Sequence, residues 1–170
     1  MSILRITKHG EPVLKKVSVP VVYEALRPDL PRLLKDMWTT MYAVKGVGLA
    51  APQVGLNLRL SVVDIRPEGK AQRLVLINPE VVAHEGAMFE EEGCLSLPGV
   101  FARVKRYARV RIRALDARGR PFEMEGTGLL ARAFQHEVDH LDGKLFIDHL
   151  PFAEKLKVLS LIKDLRRDWT

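Results

Sequence analysis

Two histidines four residues apart, His136 and His140, bracket Glu137 in the run Gln135-His136-Glu137-Val138-Asp139-His140-Leu141-Asp142-Gly143. On a helix such a pair projects from one face about one turn apart, so both imidazoles can converge on one metal ion. Glu137 then stands close by without having to be a ligand. Two ligands and one free carboxylate are what metal-assisted hydrolysis needs: an open metal activates water while the carboxylate takes and returns its proton. The bland alternative is a pair of structural histidines that happen to flank a glutamate. The five-residue pattern is a weak signal alone, and the metal reading requires a third ligand.

The search for that ligand separates enzyme classes. A metzincin would continue to a third histidine, but Phe146 stands where it belongs. A thermolysin-like site would take a downstream glutamate; Glu154 lies in a basic, amphipathic segment and reads as surface. Upstream, Glu91-Glu92-Gly93-Cys94-Leu95-Ser96-Leu97-Pro98 holds the only cysteine of the chain. One cysteine can form neither an internal disulfide nor a multi-cysteine zinc site. Cys94 is therefore an inert buried thiol, a nucleophile or a single thiolate ligand, and its polar and glycine neighbours do not suit core filling.

These groups need elements to position them. A helix from an N-cap at Thr127 to a stop at Gly143 puts Leu129, Ala133, His136 and His140 on one face. Leu130, Phe134, Val138 and Leu141 fall on a second face, and Gln135, Asp139 and Asp142 on the remainder, as in a buried helix whose histidines face a pocket. An earlier helix spans Pro28 to Lys45, with Leu30, Leu33, Leu34, Met37, Met41 and Val44 turned inward and Gly46 ending it. The small residues of Gly46-Val47-Gly48-Leu49-Ala50-Ala51-Pro52-Gln53-Val54-Gly55 let backbone approach a ligand closely. That segment follows a helix and lacks the lysine and hydroxyl residue of a phosphate loop. Gln53 is its one side chain able to donate a hydrogen bond into a site, although on its own merits such a glutamine is more often at the surface.

Residues 1 to 24 read as an extended arm. Strands are expected over Leu58 to Asp64, Arg73 to Asn78, Glu80 to Phe89 and Arg103 to Leu115, with breaks at Pro67, Gly69 and Pro79. The last turns through Asp116-Ala117-Arg118-Gly119 into Pro121 to Glu125, a hairpin with one wet face. The resulting fold class is α+β: mostly antiparallel β-sheets packed around a central metal-binding helix, with a C-terminal amphipathic helix from Phe152 to Trp169. The apolar side of that last helix is Leu156, Leu159, Ile162, Leu165 and Trp169.

The chain's 170 residues suit a single domain, 1–170, with one substantial core. Its composition, 47% hydrophobic and 28% charged, is that of a soluble globular protein, so no fibrous or disordered class applies. A net charge of +6 favours polyanions such as RNA. The first ten residues lack the apolar centre of a secretory signal, no run approaches membrane length, and one cysteine gives no sign of an oxidising compartment. A cytoplasmic monomer without DNA or membrane partners is expected.

Read together, Gly46 to Gln53, Glu92-Gly93-Cys94-Leu95-Ser96 and Gln135 to Gly143 closely resemble the three motifs of peptide deformylases, enzymes that remove the N-formyl group from nascent bacterial proteins. Each stretch matches the family pattern without a gap, and order and separation fit. The resemblance extends, more weakly, over nearly the whole chain, and the helical C-terminus is similar to that of type 1 members. It implies that Cys94, His136 and His140 hold one metal ion, with water as fourth ligand. Family members use iron as Fe(II) and accept nickel, cobalt or zinc. A thiolate and two imidazoles would by themselves suggest zinc, and affinity order does not settle which metal a cell supplies.

The resemblance further implies that metal-activated water attacks the formyl carbon of an N-formylmethionyl peptide, with Glu137 as general base and then acid. Gln53 and the Leu95 backbone N–H would stabilise the oxyanion. The peptide would lie as an added strand between the segments of Val47-Gly48 and Gly93. Leu129 and Ala133 suit the walls of a methionine pocket. Arg132 departs from the apolar residue of many bacterial members; either its stem lines the pocket or it is a solvated surface arginine. The basic C-terminal helix resembles the ribosome-binding helix of some deformylases. Competing readings are another metallohydrolase such as a peptidase, disfavoured by the missing third histidine, and a noncatalytic peptide or ribosome binder, disfavoured by intact Glu137 and Gln53.

Overall fold

The computed structural model describes residues 2–169. The N-terminal arm is extended as far as Val22 apart from a 3-10 turn at Pro12–Lys15, shorter than the 24 residues expected because α1 begins at Tyr23, and its backbone touches all three motif segments. Thr7 N–H donates to Gln53 O, His9 N–H to Ser96 O and Ser18 N–H to Leu141 O, each at 2.8 Å. A short helix α1 (Tyr23–Leu26) precedes α2 (Leu30–Ala43), which buries Leu30, Leu34, Met37, Trp38 and Met41 at helical spacing. Helix α2 stops before Val44, whose side chain, expected inward, is exposed. The stop is set by Lys45, not Gly46: Lys45 takes φ +57°, its N–H reaches Tyr42 O, and Gly46 N–H reaches Met41 O at 2.8 Å. This is a Schellman closure with lysine in the position that favours glycine.

Strand β1 (Gly48–Ala50) and a single 3-10 turn, Ala51–Val54, occupy the glycine-rich segment. Strands β2 (Leu60–Val63) and β3 (Leu74–Glu85) follow, then β4 (Met88–Cys94), β5 (Leu97–Arg106), β6 (Arg109–Leu115) and β7 (Pro121–Thr127). One antiparallel sheet has the order β1-β2-β3-β6-β7, and β4 pairs with β5 alone. Several strand boundaries differ from expectation: the run Glu80 to Phe89 breaks at Gly86-Ala87, so Phe89 lies in β4, and β5 begins at Leu97, before the expected Arg103. Pro79 does not end a strand: β3 runs through it with register shifts, and the Asn78 side chain, on a residue at φ +51°, bonds both backbone groups of Val21. A bulge tolerates the missing proline N–H. The run from Arg103 to Leu115 is two strands in two sheets, because the chain crosses between them at Tyr107-Ala108.

The β6–β7 hairpin forms as expected, its turn held by Asp116, whose carboxylate accepts N–H bonds from Arg118 and Arg120. Strand β7 then runs into helix α3 (Gly128–Leu141) with no loop. Thr127 is still extended and Gly128 takes φ +54°, a left-handed residue at which glycine avoids the Cβ clash. Thr127 occupies the N-cap position but makes no side-chain cap bond. Ala131 and Phe134 pack into a cluster with Val63, Leu76, Val110 and Ile112 of the sheet. Burying a side chain the size of Phe134 is worth about 1.5–3 kcal/mol, so the sheet fixes how α3 lies.

Helix α4 (Phe152–Leu165) lies on β5 through buried Ile162, with Val158, Leu159 and Leu165 partly covered. It ends earlier than expected, in a 3-10 turn, Arg166–Asp168, after which Trp169 Nε1 donates to Pro98 O at 3.2 Å. Leu156, assigned to the apolar side, is 51% exposed, because the narrow docking stripe runs through Ile162 instead. Glu154 is at the surface, as expected. No helix among the described residues is long and apolar enough to cross a membrane.

Candidate metal centre

Helix α3 delivers the two histidines, and the β4–β5 hairpin delivers the thiol. Cys94 and Leu97 are paired across a turn made of Leu95 and Ser96, so Cys94 is held at the end of a strand facing the helix. The ligand-capable atoms of Cys94, His136 and His140 lie within 4.8 Å of one another. His140 Nε2 is 3.3 Å from Cys94 Sγ and 3.2 Å from His136 Nε2. Bonds of about 2.0–2.3 Å to a tetrahedral ion would separate such atoms by about 3.3–3.6 Å. These two separations therefore fit a cation after adjustments of a few tenths of an ångström.

Electrostatics support the same reading. Burial opposes ionisation of Cys94, yet His140 and His136 hold its thiol well below the ordinary value. Burial likewise opposes a charged His136, but Cys94, Glu92 and Glu137 raise it well above the usual imidazole value. Both shifts arise from a thiol and imidazoles packed close enough to exchange charge, the donor arrangement that binds a metal cation with release of protons.

Glu137 is buried at 3% exposure, and burial, only partly offset by the neighbouring imidazoles, pushes its carboxyl up to about 7. Its Oε2 has no hydrogen-bond partner among the described residues. A buried oxygen without a partner, beside three ligand atoms, is poised for a group from outside the chain. Gly48 makes the space: a Cβ there would lie 2.8 Å from Glu137 Cδ. Gln53, expected nearer the surface on its own merits, is 1% exposed. Its Oε1 accepts Ala50 N–H at 2.9 Å, which aims Nε2 at Cys94 Sγ, 3.5 Å away, and at Ser96 Oγ, 3.3 Å away.

Behind the histidines lies a network that sequence reasoning missed. Glu92 Oε1 is 3.0 Å from His136 Nδ1, and Arg106 binds both Glu92 oxygens at 2.8 and 3.0 Å. Arg106 also reaches Asp139 at 2.6 Å, and Asp139 meets His149 at 2.7 Å. Although burial raises it, His136 and Arg106 hold the Glu92 carboxyl down to about 2. With Nδ1 donating to Glu92, His136 presents the lone pair of Nε2 to the cluster. Arg106 sits two residues after buried Val104 on β5, in the inward phase of the strand. That phase was the available signal, hidden by the charged neighbours. Gln135, on the third side of α3, is also buried, bonded to both backbone groups of Tyr107.

A cleft of about 560 Å³ opens onto this centre. Val47, Gly48, Gln53, Gly93, Cys94, Leu95, Leu129, Arg132, Ala133, His136 and Glu137 all line it, whereas His140 lies behind the wall at 1% exposure. Arg132 is half-buried, its Nη2 donating to Glu91 O at 2.6 Å, so it lines the cleft and is not a free surface arginine.

An α+β fold with a thiolate and two imidazoles around an unpartnered buried carboxylate defines a metal-dependent hydrolase. The family model for polypeptide deformylase matches residues 3–156. A peptide deformylase from Alkalilimnicola ehrlichii is 48% identical over 167 residues, covering 98% of this chain and 93% of that relative. The crystal structure of a peptide deformylase from Legionella pneumophila superposes with a TM-score of 0.90 at 43% identity, covering 98% of this chain and 96% of that one. A peptide deformylase from Synechococcus elongatus, solved in complex with actinonin, has a TM-score of 0.86 at 40% identity, covering 93% and 86% of the two chains. The chain belongs to the polypeptide deformylase family. It is a hydrolase that removes the N-formyl group from nascent peptides, and metal dependence is general to its family.

Proposed function

We propose that Cys94, His136 and His140 hold one Fe(II) ion and that Glu137 carries the proton in hydrolysis of the formamide bond of N-formylmethionyl peptides. The observation that carries this reading is the buried Glu137 carboxylate with Oε2 unpartnered beside the three ligand atoms. Bound there, the ion supplies Lewis acidity, lowering the pKa of water and polarising the formyl oxygen. Glu137 accepts the proton of the attacking water as its oxygen bonds to the formyl carbon. The Gln53 amide and the Leu95 backbone N–H donate to the developing oxyanion. Glu137 then returns the proton to the methionine nitrogen as the C–N bond breaks, leaving formate and a free N-terminus.

The substrate backbone adds as a strand between the Val47-Gly48 edge and Gly93, so that main-chain bonds position it irrespective of side chains. Leu129 and Ala133, with the aliphatic stem of Arg132, form the methionine pocket. Formate release from a formyl-Met peptide, with no internal peptide bond cut, is the test; internal cleavage or no formate overturns the reading.

The choice of iron has its own expected outcome. Iron-loaded protein loses activity on aeration through oxidation of the metal or of Cys94, and nickel-loaded protein keeps it. Undiminished activity of the iron form after prolonged aeration rules iron out as the working metal. As for partners, we place the enzyme in the cytoplasm as a monomer that associates with the ribosome through α4 and the 3-10 turn after it, where Lys157, Lys163 and Arg167 are exposed. Reversing these three charges lowers salt-sensitive ribosome binding severalfold without uncovering Ile162, and leaves small-peptide turnover intact. Equal ribosome binding by both proteins disposes of the assignment.

A further inference from the structure

The outer walls of the catalytic cleft carry charge of one sign. Lys8 from the N-terminal arm, Lys45 from the turn after α2 and Arg132 from α3 all line it. Among the described residues, the carboxylates in the lining are Glu92, buried under Arg106 and His136, and Glu137 at the centre. Among the described residues none of the three cations lies in an ion pair. Lys8 Nζ is 3.2 Å from Ile6 O and Arg132 Nη2 is 2.6 Å from Glu91 O, so both lean on carbonyls. Glu11, which accepts the Lys8 N–H, has both oxygens taken by Arg5. On the β6–β7 face, by contrast, Arg113 pairs with Glu80 and Glu123, and Arg109 with Glu85 and Glu125.

Lys45 adds an independent observation. It is exposed and holds φ +57°, where glycine would be favoured. Helix closure does not need a lysine side chain there, and the strained residue stands where the cleft opens beside Val47. A concave site with low-dielectric walls and unpaired charge of one sign concentrates ligands of the opposite sign.

We propose that this cationic mouth selects formyl-Met peptides with an aspartate or glutamate at the second or third position. The proposal rests on the deformylase site assigned above. Each exposed contact of this kind supports about a two- to fivefold preference at low salt.

The test compares kcat/KM for C-terminally amidated formyl-Met-Glu-Ala, formyl-Met-Ala-Ala and formyl-Met-Lys-Ala on the metal-loaded full chain. The Glu-to-Lys ratio is expected to reach about tenfold at low salt and to shrink at high ionic strength as the charges are screened. Lys45→Gly, which suits the left-handed backbone, lowers the ratio severalfold, and Lys45→Glu lowers it further. A ratio within twofold of unity in the parent protein, or one unmoved by both substitutions, overturns the proposal while turnover of the alanine peptide keeps the site assignment standing. If no formyl peptide is turned over, the site assignment fails and the preference falls with it.

Discussion

Glu137→Ala lowers turnover of a formyl-Met peptide by about two to four orders of magnitude, the range of a positioned acid–base group, while metal content stays near one equivalent. The two halves of this expectation have different causes. Metal is retained because Cys94, His136 and His140 supply the ligand atoms and Glu137 is not among them. Turnover falls because, among the described residues, no other unpaired carboxylate lines the cleft: Glu92 is held by Arg106 and His136.

The substitution leaves the fold intact. The carboxylate is 3% exposed, has an unpartnered oxygen and pays a desolvation penalty that lifts its pKa to about 7. Removing such a group relieves a cost of burial, so thermal stability is equal or higher. Kinetics, metal analysis and a melting curve on one preparation check all three statements. A folded, metal-loaded and nearly fully active Glu137→Ala protein makes the carboxylate structural and ends the proton-transfer assignment. Gly48→Ala offers a milder form of the same experiment, because the added methyl would collide with the carboxylate it now shelters.

The site was more legible in the sequence than the framework around it, for physical reasons. The histidine pair, Cys94 and Gln53 lie in short contiguous motifs whose side-chain types and spacing carry the information. The strand boundaries depended on tertiary pairing. Pro79 looks like a break from its local chemistry, but β3 accommodates it because Asn78 bonds Val21 from a distant part of the chain. The alternation of Arg103 to Leu115 is continuous through Tyr107, and only the placement of two sheets reveals that the chain changes partners there.

Arg106 shows the same limit at the level of one residue. An arginine in a basic strand reads as solvated, and its burial becomes favourable only because β4 supplies Glu92 and α3 supplies Asp139. Leu156 erred in the opposite direction: its helical spacing was right, but α4 presents a narrower stripe to β5 than its composition suggests.

His136→Ala removes activity entirely by removing the metal, and this separates a ligand from a proton carrier. Three protein ligands and one open position are the pattern of a catalytic site, and two ligands leave the ion exchangeable with solvent. His136 is also the ligand most firmly oriented, since Glu92 fixes Nδ1 and Arg106 fixes Glu92. That support outlasts the substitution. Glu92 keeps both bonds from Arg106, and Arg106 keeps Asp139, so neither of these two carboxylates is left without a cation. The variant therefore folds, with the β4–β5 hairpin still docked on α3, but carries well under one equivalent of metal after dialysis. Added imidazole or excess metal restores little turnover, because neither recreates the fixed ring. Cys94→Ala gives the same loss through the other wall of the site. A His136→Ala protein that keeps stoichiometric metal and turnover within about tenfold of the parent would remove His136 from the ligand set, since losing a ligand must cost far more than a single misplaced contact.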